Sequence, residues 1–241
     1  MRTAIAASLA LAAPLAAQDD ASYFRANLGV AGGRFHYQTD DRSLDDHADA
    51  GLVRLQVEGT GSRGFGGGLR LEGTGTEDEL FAANGSAATI GSLFAHATFR
   101  FSEHRFAMPF RVGLLLNSLD LQGTTANLET TYGSLGPQLE LAPELVVWRQ
   151  RGMQWLLYGE FGFGVAATHV EFAGDSNDYW STTGFAGVEI GTRLRLRAFE
   201  IGLAYVGRWQ SMAESGTENG FFAQGYDASF NGLLLTMGVV F

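Results

Sequence analysis

The stretch Asn231–Phe241 reads NGLLLTMGVVF. Side chains of an extended strand alternate faces with a period of two, so Leu233, Leu235, Met237, Val239 and Phe241 share one wholly apolar face. The opposite face carries Thr236 and Gly238, but also Leu234 and Val240. Whether the apolar side meets a protein core or lipid depends on the rest of the chain.

The same beat recurs in nine earlier segments. Ser22–Tyr37 places Phe24, Ala26, Leu28 and Val30 together, and Gly32-Gly33 predicts a bulge that shifts the parity to Phe35 and Tyr37. Gly51–Glu58 sets Val53, Leu55 and Val57 against Arg54, Gln56 and Glu58. Phe65–Thr74 sets Leu69 and Leu71 against Arg70 and Glu72. Ser92–Phe101 sets Leu93, Ala95, Ala97, Phe99 and Phe101 against His96, Thr98 and Arg100. In Phe106–Leu116 six apolar residues oppose Arg111; in Tyr132–Val147, Leu139, Leu141 and Leu145 oppose Gln138, Glu140 and Glu144. Gln154–Ala167 opposes Trp155, Leu157, Phe161, Phe163 and Val165 to Tyr158 and Glu160. Phe185–Leu196 carries Glu189, Arg193 and Arg195 on its polar face, and Phe199–Trp209 carries Glu200 and Arg208.

Connections alternate as well. Gly59–Gly64, Ser102–Arg105, Arg149–Gly152 and Arg197-Ala198 are short; Gln38–Ala50, Gly75–Ile90, Ser118–Thr131, Glu171–Thr183 and Gln210–Gly225 are long. Short turns at one end and long loops at the other predict an all-β, up-and-down antiparallel transmembrane β-barrel of about 10 strands. Pro109, Pro137 and Pro143 fall inside proposed strands, where each removes a ladder hydrogen bond, so 8 or 12 strands stay open.

A soluble barrel or sandwich would show the same stripes with the apolar side inward. Two patterns favour lipid. Rings (Phe99, Phe101, Phe106, Phe110, Phe161, Phe163) crowd the apolar face, whereas Gly66, Gly68, Gly113, Gly162, Gly164 and Gly202 sit on the polar one. Trp148 and Trp155 flank a short turn while Trp180 and Trp209 lie toward long loops, as two aromatic girdles require.

The N-terminus reads as an export signal over residues 1–17: Met1-Arg2, an apolar run from Ala4 to Ala13, then Leu15-Ala16-Ala17. Residues 18–241 form the barrel. The apolar run is too short to span a bilayer as a helix. The 241 residues include 33 Gly and no Cys, so disulfides are excluded, and a formal charge of −10 argues against nucleic acid as a partner. All 16 basic residues are Arg.

The polar faces supply Arg54, Arg70, Arg100, Arg111, Arg193, Arg195 and Arg208 against Glu58, Glu72, Glu140, Glu144, Glu160, Glu189 and Glu200. Directed into a narrow barrel they reach one another. Two outcomes follow: an ion-pair network that plugs the lumen, or a narrow pore whose charge ring sets selectivity. The first loop clusters Asp40, Asp41, Asp45, Asp46 and Asp49; the second holds Glu77, Asp78 and Glu79, and the fourth Glu171, Asp175 and Asp178. Carboxylates can hold divalent cations, although Asp40–Asp49 lacks EF-hand spacing and a solvated anionic surface is the plainer reading. No cofactor is implied.

The closing strand, with Leu235, Met237, Val239 and a terminal Phe241, resembles the assembly signal of bacterial outer-membrane β-barrel proteins, and the whole mature chain resembles a small member of that group. Gly225-Tyr226 and Asn231-Gly232-Leu233 through Phe241 are similar to the end of the Legionella-type major outer membrane protein family, described as pore-forming. The resemblance implies the outer membrane of a Gram-negative cell, with membrane lipid, lipopolysaccharide and the barrel assembly machinery as partners. The strand number also resembles that of the omptin outer-membrane proteases. Asp45-Asp46-His47 and His169 with Asp175 are the nearest residues to that family's acid–His couples, but its spaced Asp-x-His pattern is missing. The expectation is therefore a scaffold or narrow diffusion pore and no enzyme. The competing expectation is a surface-binding module acting through the acidic loops, with Tyr179-Trp180 and Phe221-Phe222 as contact aromatics.

Overall fold

A computed structural model of the chain describes residues 22–76, 86–123, 129–173, 177–216 and 221–241. The expected export signal over residues 1–17, the loop acids Glu77, Asp78 and Glu79, and Asp175 lie outside the described residues. The alternating segments form β1 (Tyr23–Thr39), β2 (Asp45–Thr60), β3 (Phe65–Thr76), β4 (Ala87–Glu103), β5 (Phe106–Gln122), β6 (Thr130–Leu141), β7 (Glu144–Gln150), β8 (Met153–Phe172), β9 (Tyr179–Leu196), β10 (Phe199–Met212) and β11 (Tyr226–Val240).

Neighbours pair antiparallel, and β1 closes on β11 from Arg25↔Val240 to Thr39↔Tyr226. Beyond β11, the backbone N–H and C=O of Phe241 bond those of Phe24, both at 2.9 Å. β6 and β7 lie end to end between β5 and β8, so the eleven strands build ten staves of a closed barrel. Closure removes every sheet edge, which is what a lipid-embedded sheet requires.

The prolines are absorbed locally. Pro143 sits in the gap between β6 and β7, where Ala142 N–H donates to Pro109 C=O and Gly159 N–H donates to Pro143 C=O, each at 2.9 Å. Pro137 faces outward, and the β6–β8 ladder passes from Leu135↔Ala167 to Gln138↔Gly164 without changing register.

Two expectations change. No bulge forms at Gly32-Gly33: β1 keeps one register with both neighbours, so odd-numbered residues point inward throughout and Phe35 and Tyr37 are buried in the barrel. An irregularity occurs instead between Val146 and Trp148. The strands also run further than the alternation suggested, because the interior continues beyond the charged layer as an apolar one. Asp45, Asp46 and Asp49 thus belong to β2, and only residues 40–44 connect it to β1. At the other end Arg151 and Gly152 both take positive φ (36° and 81°), as a tight primed hairpin turn demands.

The outer face decides between the two barrel readings. Leu28, Val53, Phe163 and Met237 are each 61–62% exposed, on a belt that continues through Leu69, Leu114, Ile190 and Leu203. An apolar surface this extensive has no place in water, so the belt meets lipid. Trp148 and Trp155 face each other across β7 and β8 beside the Arg151-Gly152 turn, with Trp180 and Trp209 exposed toward the opposite end. Val53→Arg or Leu114→Arg is expected to cost about 2–4 kcal/mol of unfolding free energy from lipid vesicles. A cost under about 1 kcal/mol at both positions would contradict the lipid-facing assignment.

Candidate functional site

The pleat that turns leucines and phenylalanines to lipid turns the alternate residues into the lumen. There the charges meet in pairs that sequence distance hides. Arg54 donates to Glu72 at 2.7 Å and to Glu189 at 2.6 Å, 135 positions away. Arg208 reaches the same two carboxylates at 2.9 and 3.8 Å. Arg70 lies among Glu72 (3.4 Å), Glu140 and Glu160 (3.6 Å). Arg111 reaches Glu58 (2.6 Å), Glu140 (3.3 Å) and Glu160 (3.4 Å).

Toward the short turns, Arg193 links Glu144 (2.8 Å), Glu160 (3.3 Å) and Glu200 (3.7 Å). Arg25 reaches Glu200 at 2.8 Å and Glu144 at 3.9 Å, Arg100 reaches Glu144 at 3.3 Å, and Arg195 reaches Glu200 at 2.8 Å. Shared partners join all of these side chains into one network. The fourteen charged residues expected in the lumen are all in it, and Arg25 is a fifteenth that the sequence reading left unassigned. Arg54 is 1% exposed and Glu189 0%. Charges this deep persist only with partners. Tyr158 strengthens the set by donating its hydroxyl to Glu189 at 2.6 Å, while the Arg193 guanidinium stacks 3.3 Å from its ring centroid.

Above the charges, toward the long connections, lies an interior layer with no counterpart in the expected site. Phe35, Tyr37, Leu52, Leu119, Tyr132, Val170, Tyr179, Met212, Tyr226 and Phe230 are buried together. Tyr37 and Tyr226 stack with centroids 5.3 Å apart, and Tyr132 tilts onto Tyr226 at 4.7 Å. The connection between β10 and β11 tucks Ala223 into this layer, its N–H donating to the Ser215 hydroxyl at 2.6 Å. Gly225 suits the close approach beside it, because a Cβ there would lie 2.8 Å from the Met212 carbonyl oxygen. Between the layers remains a cavity of about 80 Å³ bounded by Arg70, Glu72, Glu160, Gln210, Phe185 and Phe230. That is room for a few waters. His96, expected in the lumen, is buried there with Nδ1 3.0 Å from the Thr98 hydroxyl.

The weaker metal candidates disperse. Asp41 binds its own turn through Thr39 and Ser43, and hydrogen bonds from Gln224 first and then Ser43 hold its carboxyl below the usual carboxylate range. Asp45 takes His36 (2.9 Å) and Gln38 (2.9 Å), Asp46 accepts the His47 N–H, and Asp40 packs over Gly225. Among the described residues no three His, Asp or Glu side chains are grouped to hold a metal. His169 pairs with Asp178 (3.0 Å) and Glu171 (3.3 Å) beside Trp180. Of the proposed loop aromatics, Tyr179 is buried inside, whereas Trp180, Phe221 and Phe222 are exposed.

No protein-family model and no curated protein matches the sequence. Among solved structures the fold is similar to the outer membrane protease OmpT from Escherichia coli, with TM-score 0.57 and 10% identity over 92% of this chain and 96% of that one. The translocator domain of the autotransporter NalP from Neisseria meningitidis matches at TM-score 0.45 and 10% identity, covering 98% of this chain and 91% of that one. The chain is an outer-membrane β-barrel. Its closed ladder and lipid-facing belt are those of a membrane-spanning barrel, and its fold is the one seen in bacterial outer-membrane proteins. The narrower likeness to the Legionella-type family finds no support among these matches.

Removing one partner of a buried pair strands the other. Glu189→Gln is therefore expected to destabilise the barrel by about 3–5 kcal/mol in chemical unfolding from lipid vesicles. The double change Arg54→Met with Glu189→Leu should cost less than Glu189→Gln alone. Additive losses would show that the pair is not coupled.

Proposed function

We propose that the chain is a membrane scaffold whose lumen is held shut by the Arg–Glu network, presenting its long connections at the cell surface. One observation carries this reading: eight arginines and seven glutamates join through shared contacts into a single set across the barrel interior. An open pore lined by these charges would leave them facing water. Arg54, Glu58, Arg111, Glu189 and Arg193 are instead 2% exposed or less. The tyrosine layer adds a second, apolar seal above.

The role is non-catalytic. Two histidine–acid couples, at His36 and His169, lie on outward-facing positions of β1 and β8 and are occupied by Asp45 and by Asp178 with Glu171. Neither supplies the nucleophile and orienting group that hydrolysis needs in one place. Outer-membrane lipid, lipopolysaccharide and the barrel assembly machinery are the expected partners. A surface-binding role draws support from the exposed pair Phe221 (67%) and Phe222 (48%) beside the last long connection.

Purified protein in planar bilayers is expected to add no steady conductance. The triple change Arg70→Ala, Arg111→Ala and Glu160→Ala, which empties the middle of the network, should produce ohmic openings. A steady, solute-permeable conductance from the wild type would overturn the scaffold reading in favour of a diffusion pore.

A further inference from the structure

The two ends of the barrel carry opposite charge. Each short hairpin turn holds an arginine: Arg63 between β2 and β3, Arg105 between β4 and β5, Arg151 between β7 and β8, and Arg197 between β9 and β10. All are exposed, and among the described residues none makes an ion pair, whereas every lumen arginine does. Glu103, 3.9 Å from His104, is the one acidic side chain directly adjoining these turns among the described residues. The long-connection end is the reverse, with Asp41, Asp45, Asp49, Asp178 and Asp227 exposed.

The turns lie at the foot of the lipid-facing belt. Arg151 and Arg197 occupy neighbouring turns, because β8 pairs with β9 from Met153↔Leu196 upward. The Arg197 N–H donates to the Gly152 carbonyl at 2.7 Å, and a Cβ at Gly152 would lie 3.4 Å from Arg197 Cγ. Two arginine side chains therefore leave the backbone side by side. Trp148, Met153, Trp155 and Leu196 are exposed on the strands directly above them, where the apolar surface begins.

We propose that the short-turn rim binds anionic phospholipid headgroups, with Arg151 and Arg197 as its strongest position. Charge and place together set the class. Unpaired guanidiniums present open forks that match phosphate oxygens. A basic side chain held near a membrane surface gains from net negative headgroups, which a zwitterionic lipid lacks. The acyl chains of the same lipid then cover Trp148 and Trp155, continuing the belt that lipid already meets. At the other end the exposed carboxylates repel the same headgroups, so the preference belongs to one rim. The proposal rests on the lipid-facing belt and is independent of whether the lumen conducts.

The test is quenching of tryptophan fluorescence by brominated phospholipids in vesicles holding the folded full chain. Trp180→Phe with Trp209→Phe leaves Trp148 and Trp155 to report on the short-turn rim. Trp148→Phe with Trp155→Phe leaves the pair toward the long connections. Brominated phosphatidylglycerol is compared with brominated phosphatidylcholine in a phosphatidylcholine host. Quenching by either lipid reports the belt itself, so failure of the lipid-facing assignment is seen separately. At the short-turn pair phosphatidylglycerol is expected to bind at least about threefold more tightly at low salt, and salt of about 1 M should remove most of that preference. Arg151→Gln with Arg197→Gln should remove it at low salt, and Arg151→Lys with Arg197→Lys should keep it. The long-connection pair should show no preference. Equal affinities at the short-turn pair, the same preference at both ends, or a preference that survives the glutamine changes or the salt would overturn the proposal. Should the glutamine variant not fold, the salt titration with both arginines in place decides.

Discussion

Closure of β1 on β11 is the constraint from which the rest follows. In lipid every backbone N–H and C=O needs a partner within the protein, and a sheet provides that only when its edges meet. The register from Arg25↔Val240 to Thr39↔Tyr226 satisfies the requirement, and the Phe24–Phe241 bonds extend it by one more pair. Closure then fixes which side chains face inward. Once ten staves close, the inward residues have no water-filled space large enough to hide in, and the long arginines and glutamates must find one another. Pairing of the lumen is thus a consequence of the barrel's size as much as of its composition.

The interior divides into two kinds of material. The charged layer makes demanding geometric requirements, since a buried guanidinium or carboxylate that loses its partner is strongly unfavourable. The tyrosine-rich layer beyond it behaves like the core of a soluble β protein, with stacked rings and small residues such as Ala48, Ala50 and Ala228 filling between them. The first resists wetting by pairing and the second by exclusion. The cavity of about 80 Å³ sits where they meet, because polar tips and ring edges pack poorly against one another.

Much of the fold was legible in the residues. Val53, Leu55 and Val57 against Arg54, Gln56 and Glu58 define a strand with two different faces, and nine other segments repeat the message. The expected lumen charges came from parity alone, although Arg25, between the outward Phe24 and Ala26, was passed over. Phe35 and Tyr37 were misassigned for a physical reason: an apolar residue on an inward position looks like a change of parity when the interior is assumed polar throughout. The unbroken register shows that the interior changed and the strand did not. Partner choice was not legible at all. Arg54 meets Glu189 from 135 positions away because of how the closed staves are staggered.

The central claim is that the charged lumen is paired and closed to bulk water. Its most direct test is solvent exchange of the arginine side-chain N–H groups in folded protein, read by NMR. A paired lumen predicts that the Nε–H signals of Arg54 and Arg111 survive in D2O long after those of Arg63 on an exposed short turn. Loss of all three at the same rate would mean that water fills the barrel.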